Sequence, residues 1–181
     1  PAAQTVTCLT CTLDRVVKAT APPAVMLEDL AQAVDQRTAK VVILTGKGKV
    51  FSAGADLDAA RGGLAISPLW ERLSGAIARH PGLTIAALNG TVAGGAMGMV
   101  LACDLRIAVP TAKFFYPVMK LGFLPQPSDP KRLSQLVGPA RTKLILMVGQ
   151  KIGADQAQSW GLIEEIVAPD ALLDRAMALS N

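Results

Sequence analysis

The stretch Asn89–Ala108, NGTVAGGAMGMVLACDLRIA, decides how this chain is built. Asn89-Gly90 is a turn signal, and Gly94-Gly95 interrupts the middle. Just before it, Leu83–Leu88 (LTIAAL) is a short apolar run bounded by turn residues, which predicts a buried strand. Gly94–Cys103 then predicts a buried helix, and Asp104–Val109 the next strand. From Pro81 to Cys103 there is no charged residue, a length that would span a membrane. Gly90, Gly94 and Gly98 even have the G-x-x-x-G spacing of membrane helix pairs. The turn and the glycine pair split the apolar residues into two blocks, Leu83–Leu88 and Met97–Cys103. A strand, a glycine turn and a helix account for the whole stretch, so no membrane span is expected.

The same strand–glycine–helix step occurs upstream. Lys40–Thr45 (KVVILT) predicts a buried strand, Gly46–Gly48 a turn, and Phe51–Leu57 (FSAGADL) a loop of small residues leading into a helix. Outward from these, Thr5–Leu13 alternates and predicts a strand, Val16–Val25 a loop, and Met26–Asp35 a helix. Leu69–Arg79 predicts a helix that stops before His80-Pro81. Lys113–Tyr116 and Leu162–Val167 predict strands. Asp129–Val137, Pro139–Val148, Ala154–Trp160 and Pro169–Ser180 predict helices. Alternating strands and helices imply an α/β fold with βαβ-type units and a mainly parallel sheet. Each glycine loop sets backbone N–H groups at a helix start, where negative charge is stabilised. Two such loops facing each other would hold one oxygen between two N–H groups, an oxyanion hole. Tight packing explains either loop taken alone.

Composition narrows the classes further. The 181 residues are half hydrophobic, only 4% aromatic, and carry a net charge of +4. Lys40, Lys47, Lys49, Lys131 and Arg132 come nearest to clustering, without an arginine run or interleaved aromatics, so nucleic-acid binding is not expected. A basic rim facing a phosphorylated small molecule suits the charge. Cys8 and Cys11 form C-x-x-C, but on a strand positions three apart face opposite sides. With Cys103 and the single His80 distant in sequence, no metal site is expected. Reduced cysteines and the absence of a signal-like start at Pro1–Thr7 fit a cytoplasmic protein.

FSAGADL at Phe51–Leu57, followed by NG-x₃-GG-x₇-CD at Asn89–Asp104, resembles the two signature loops of the crotonase family, the enoyl-CoA hydratase/isomerase superfamily. The resemblance extends over Lys40–Gly46, Phe114–Pro125, Lys131–Leu133 and Gly161–Ile166, in all from about Met26 to Ser180. It implies a crotonase-like spiral of ββα units and binding of coenzyme A thioesters. Coenzyme A would be part of the substrate, with no permanently bound cofactor. The backbone N–H groups of Ala55 and Gly95 would form the oxyanion hole. Ala53 would lie against the adenine, Ala55, Asp56, Leu57 and Asp58 would line the thioester, and Lys18 would contact phosphate. The family's usual Arg-Pro is Arg15-Val16 here. The resemblance also implies a homotrimer or hexamer, and a C-terminal helical segment that normally closes the acyl pocket. One domain is expected over residues 1–181, with its core at about 5–167 and the start of the helical part at 169–181. If that segment is absent, Met119, Leu121, Leu124 and Leu133 are expected to be apolar surface.

Hydratases of the family use two glutamates, one to orient and deprotonate water and one to protonate carbon. The corresponding positions here are Gly98 and Val118, and neither transfers protons. Standard hydration is therefore doubtful. Decarboxylation or thioester hydrolysis, which lean on the oxyanion hole, would suit better, as would a non-catalytic module binding acyl-CoA or an acyl carrier, or a partner subunit. Gln126 occupies a further position where relatives place an acid, and it hydrogen-bonds without acting as a base. Asp129, before Pro130, reads first as a helix N-cap. Asp56 reads likewise as a cap, Tyr116 as packing near the acyl pocket, and His80 as exposed.

Overall fold

A computed structural model describes residues 6–13, 24–36, 39–52, 63 and 66–180. Two sheets organise them. The larger has the order β1 (Val6–Leu13), β2 (Ala39–Gly46), β4 (Leu83–Leu88), β6 (Leu105–Ala108) and β9 (Glu165–Ile166). All its pairings are parallel. The smaller joins β3 (Val50–Ser52), β5 (Thr91–Ala93), β7 (Lys113–Phe115) and β8 (Ile152–Gly153), with only the last pair antiparallel. The chain places β2, β4 and β6 side by side in one sheet and β3, β5 and β7 side by side in the other. Each turn therefore lays one strand in each sheet before a helical segment, and successive turns stack as a spiral.

The central strands β2, β4 and β6 of the large sheet are buried on both faces, which is why β2 and β4 read as continuous apolar runs, whereas the outer β1 is half-exposed and alternates. Val42, Ile43, Ile85, Ala86, Ala87 and Leu88 are wholly inaccessible. Helix α1 (Ala24–Asp35) turns Leu27, Leu30, Ala31 and Val34 inward. It packs against α2 (Pro68–Ala78), which buries Trp70, Leu73, Ser74, Ala76 and Ile77. Ser67 caps α2 by accepting the Leu69 N–H at 3.3 Å, Pro68 opens its first turn, and Glu71 sits there against the helix dipole. Helix α3 (Ala96–Ala102) is buried along its whole length. The later helices are α4 (Asp129–Val137), α5 (Pro139–Leu146), α6 (Ala154–Trp160) and α7 (Leu172–Leu179).

The expected order of elements holds, with several corrections. The second strand of each turn is only three residues long in β3 and β5, too short to carry an alternating signal, and the sequence predicts a strand at neither place. A 3₁₀ turn at Pro117–Leu121 and the two-residue β8 were likewise not foreseen. The strand expected over Leu162–Val167 shrinks to Glu165–Ile166. There the Leu162 carbonyl is taken by the Arg106 guanidinium at 2.9 Å. The last helix starts at Leu172 instead of Pro169. His80 is half-buried instead of exposed, its Nε2 lying 3.1 Å from the Ala39 carbonyl oxygen. Leu133 is buried, whereas Met119, Leu121 and Leu124 are exposed as expected. Cys8 meets Met177 of α7, while Cys11 lines a groove with Val25 and Leu30 of α1, so the two sulfurs diverge. The charge-free stretch from Pro81 to Cys103 divides into β4, β5 and α3. Among the described residues no helix is long and apolar enough to cross a membrane.

Arg106, only 3% exposed, locks the β6 edge. Its guanidinium donates to the carbonyls of Leu162, Cys103 (2.6 Å) and Asp104 (3.3 Å) and to Glu164 Oε1 (2.5 Å). The Glu164 carboxylate also accepts the Arg106 backbone N–H. Removing the guanidinium strands buried carbonyls that water does not reach. Arg106→Met is expected to lower unfolding free energy by about 3 kcal/mol in urea titration.

Candidate functional site

Two glycine-bearing turns are tied together by Asn89. Its Oδ1 accepts the Gly46 N–H at 2.9 Å, and its Nδ2 donates to the carbonyls of Gly48 (2.9 Å) and Val50 (3.3 Å). One amide thus fastens the turn after β2 to the turn after β4. Gly90 makes this approach fit, because a β-carbon there would stand 2.1 Å from the Lys49 carbonyl oxygen. The Asn-Gly pair, a turn signal by sequence, is in addition the clamp that holds these two turns together.

Beyond β5, Gly94 takes φ +57, and its N–H donates to the Phe115 carbonyl at 3.1 Å. The next residue, Gly95, stands at the N-cap of α3. A β-carbon at Gly95 would lie 2.7 Å from the Trp70 ring, so the indole closes one side of this backbone. Among the hydrogen bonds of the described residues, none uses the Gly95 N–H. That donor, at the start of a buried helix, is available to an oxygen carrying negative charge.

Three residues on, Gly98 lies on the same face of the helix. A β-carbon at Gly98 would stand 2.9 and 3.0 Å from the two oxygens of Asp129. The carboxyl of Asp129 thus fills the space that a side chain at position 98 would take. Asp129 is fully buried, and its Oδ2 accepts the Tyr116 hydroxyl at 2.7 Å. Its Oδ1 makes no hydrogen bond, and among the described residues Arg132 Nη1 lies 3.9 Å from it. Tyr116, 1% exposed, also receives the Gln126 backbone N–H at 3.4 Å. Helix α2 fixes the start of α4 from the other side. Glu71 accepts the Ser128 N–H (3.2 Å) and hydroxyl, and Arg132 donates to Ser74 Oγ at 2.8 Å.

Burial raises the Asp129 carboxyl from 3.8 to about 6, against the opposing pull of the Tyr116 hydrogen bond and Arg132. Burial, then the neighbouring carboxylate, pushes the Tyr116 phenol well above its ordinary value, so Tyr116 acts as a hydrogen-bond donor. Burial likewise pushes the Cys103 thiol up to about 12, which removes it as a nucleophile.

The expected role of Asp129 as an N-cap is corrected here. Ser128 holds the cap position, and the Asp129 carboxyl turns inward to Tyr116 and away from the first-turn N–H groups. Tyr116 is packed, as expected, but its hydroxyl also orients Asp129. Gln126 is buried beside the pair. Val118 lies half-buried in the 3₁₀ turn and against the core. Lys18, Ala53, Ala55, Asp56, Leu57 and Asp58 lie outside the described residues. Sequence reasoning missed the Gly98–Asp129 contact. One signal was available, since Asp129 is the sole acidic residue between Asp104 and Asp155. Among the described residues no group of three or more His, Cys, Asp or Glu side chains is placed to hold a metal ion.

The sequence model of the enoyl-CoA hydratase/isomerase family matches residues 8–181. The chain belongs to this family. It is 34% identical over 181 residues to a probable enoyl-CoA hydratase of Rhizobium meliloti (strain 1021), covering 94% of this chain and 69% of that protein. It is 31% identical over 167 residues to the 1,2-epoxyphenylacetyl-CoA isomerase of Escherichia coli (strain K12), covering 87% and 64%. Among solved structures, the enoyl-CoA hydratase of Bacillus anthracis superposes with a TM-score of 0.87 at 29% identity, over 98% of this chain and 73% of that one. The likeness covers the described fold, and the crotonase-like spiral expected from the signature loops is the architecture observed.

In this member of the enoyl-CoA hydratase/isomerase family, Gly98 and Asp129 are coupled through shared space. Gly98→Glu alone is expected to cost about 1–3 kcal/mol in urea unfolding, because it overfills a packed site. Adding Asp129→Gly in the same chain should recover most of that loss. Asp129 also links stability to pH. Its folded value lies above the unfolded one, so the folded state binds the extra proton. That stabilisation is full below about pH 4 and is lost as pH rises through about 6. Unfolding free energy should fall across this window by up to about 3 kcal/mol relative to Asp129→Asn, measured by urea titration at successive pH values.

Proposed function

We propose that this protein binds an acyl-CoA thioester and stabilises negative charge on the thioester oxygen, as an atypical member of the enoyl-CoA hydratase/isomerase family. The observation that carries this reading is Gly95. Its N–H starts a buried helix, is backed by the Trp70 ring, and is not used by the described residues. One such preorganised donor contributes about 3 kcal/mol to a transition state in acyl chemistry. The second donor in this reading is the Ala55 N–H, with Ala53, Asp56, Leu57 and Asp58 around the thioester and Lys18 toward a phosphate. The coenzyme A moiety belongs to the substrate, and no permanently held cofactor enters the reading.

Gly98 and Val118 deny the site the two-glutamate arrangement for adding water. Enolate-forming chemistry, including decarboxylation, fits the remaining groups better, and thioester hydrolysis is the neighbouring choice. The same two positions favour one second reading, a non-catalytic module for acyl-CoA or the pantetheine arm of an acyl carrier, or a partner subunit. A homotrimer or hexamer, a cytoplasmic setting and a place in fatty acid metabolism complete the proposal by family likeness. Exposed Met119, Leu121 and Leu124 supply apolar surface of the kind an interface covers.

Calorimetric titration with butyryl-CoA and with free coenzyme A tests the reading. The thioester is expected to bind more tightly. Equal affinities would remove the oxyanion role of Gly95, and absence of binding by both would overturn the coenzyme A site.

A further inference from the structure

We propose that Asp129, whose carboxyl fills the side-chain gap at Gly98 and is held by Tyr116, is the proton-transfer group of the site, with Oδ1 as its reacting atom. The proposal rests on the thioester-binding reading above. Geometry carries it. Gly95 and Gly98 share one face of α3, about 4.5 Å apart along the helix axis. The N–H proposed for the thioester oxygen is at Gly95, and the Asp129 oxygens lie 2.9 and 3.0 Å from the β-carbon position of Gly98. Oδ2 is engaged by Tyr116, whereas Oδ1 is buried and makes no hydrogen bond. A buried carboxyl oxygen without a hydrogen bond is costly in a purely structural role. A base that meets its proton donor only when substrate arrives has this arrangement.

The step balances without a co-reactant. Ionised Oδ1 takes a proton from the carbon next to the thioester carbonyl, so one C–H bond breaks and one O–H bond forms. The C–H electron pair moves into the C–C bond, and the carbonyl π pair moves to oxygen. The resulting enolate oxygen is held by the Gly95 N–H. Return of the proton to the same carbon gives exchange, and return to a conjugated carbon shifts a double bond. A single carboxylate suffices for both, unlike hydration. Among the described residues, the charged or titratable groups acting on Asp129 are Tyr116, Arg132 of its own helix and Glu71 of α2; α3 contributes none. Tyr116 is a positioning residue, since it acts through Asp129.

The test is deuterium uptake at the carbon next to the carbonyl of butyryl-CoA in D₂O, followed by mass spectrometry. Butyryl-CoA affinity is measured by calorimetry on the same proteins. The parent is expected to exchange, with a rate that rises with pH through about 6 as the base ionises. Asp129→Asn should slow exchange about 100-fold or more while retaining thioester binding. Tyr116→Phe removes a hydrogen bond that favours the carboxylate, so the midpoint of the rate–pH curve should move up. This second variant decides the matter if Asp129→Asn does not fold. Thioester binding without exchange would overturn the proposal and leave the binding reading standing. So would exchange that Asp129→Asn leaves unchanged, or an unmoved midpoint in Tyr116→Phe. Absence of thioester binding would overturn the binding reading and the proposal together.

Discussion

A carboxyl oxygen of Asp129 stands 2.9 Å from the point where any side chain at position 98 would begin. This contact constrains how α3 and α4 meet. Only a residue without a β-carbon lets the carboxyl settle against the helix. Tyr116 and the Glu71–Ser128 bonds hold the start of α4 in register with that gap. In most helix interiors glycine costs about 1 kcal/mol relative to alanine. Here the steric conflict outweighs that preference, because an added methyl group would press at 2.9 and 3.0 Å on a buried carboxyl held by Tyr116.

The surrounding architecture makes such a contact affordable. Parallel strands buried on both faces leave α3 wholly inside the molecule, with the apolar residues Met97 and Met99 on either side of Gly98. Low local polarity raises the carboxyl's proton affinity, and a single tyrosine hydroxyl is too weak a donor to reverse that. The same burial that destabilises the ionised fold near neutral pH also gives the acid a value near neutrality, where proton transfer in either direction is easiest. Stability and chemistry are thus opposed at one residue, a pattern common where buried ionisable groups serve a site.

The Asn89 clamp shows a different relation between local sequence and long-range geometry. Its dipeptide with Gly90 is a turn signal by local rules. The three side-chain hydrogen bonds reach residues 39 to 43 positions away. They fix the turn after β2 against the turn after β4. Close backbone packing at Gly90 follows from that same convergence.

The sequence by itself determined the alternation of buried strands and helices, because fully buried parallel strands and amphipathic helices leave periodic signals within a dozen residues. It also determined, through FSAGADL and NG-x₃-GG-x₇-CD, the family and its spiral, and it showed that Gly98 and Val118 carry no acid. Tertiary structure alone decided which side chain fills the space at Gly98. Asp129 lies 31 positions beyond Gly98 and opens a helix after a proline-rich turn, so every local rule assigns it to capping. Only the packing of α3 against α4 turns that carboxyl inward, and only there does burial shift its proton affinity. Three-residue strands and the Arg106 lock escaped for the same reason. Their partners are distant in the chain, and their stabilisation comes from contacts that no short window of residues contains.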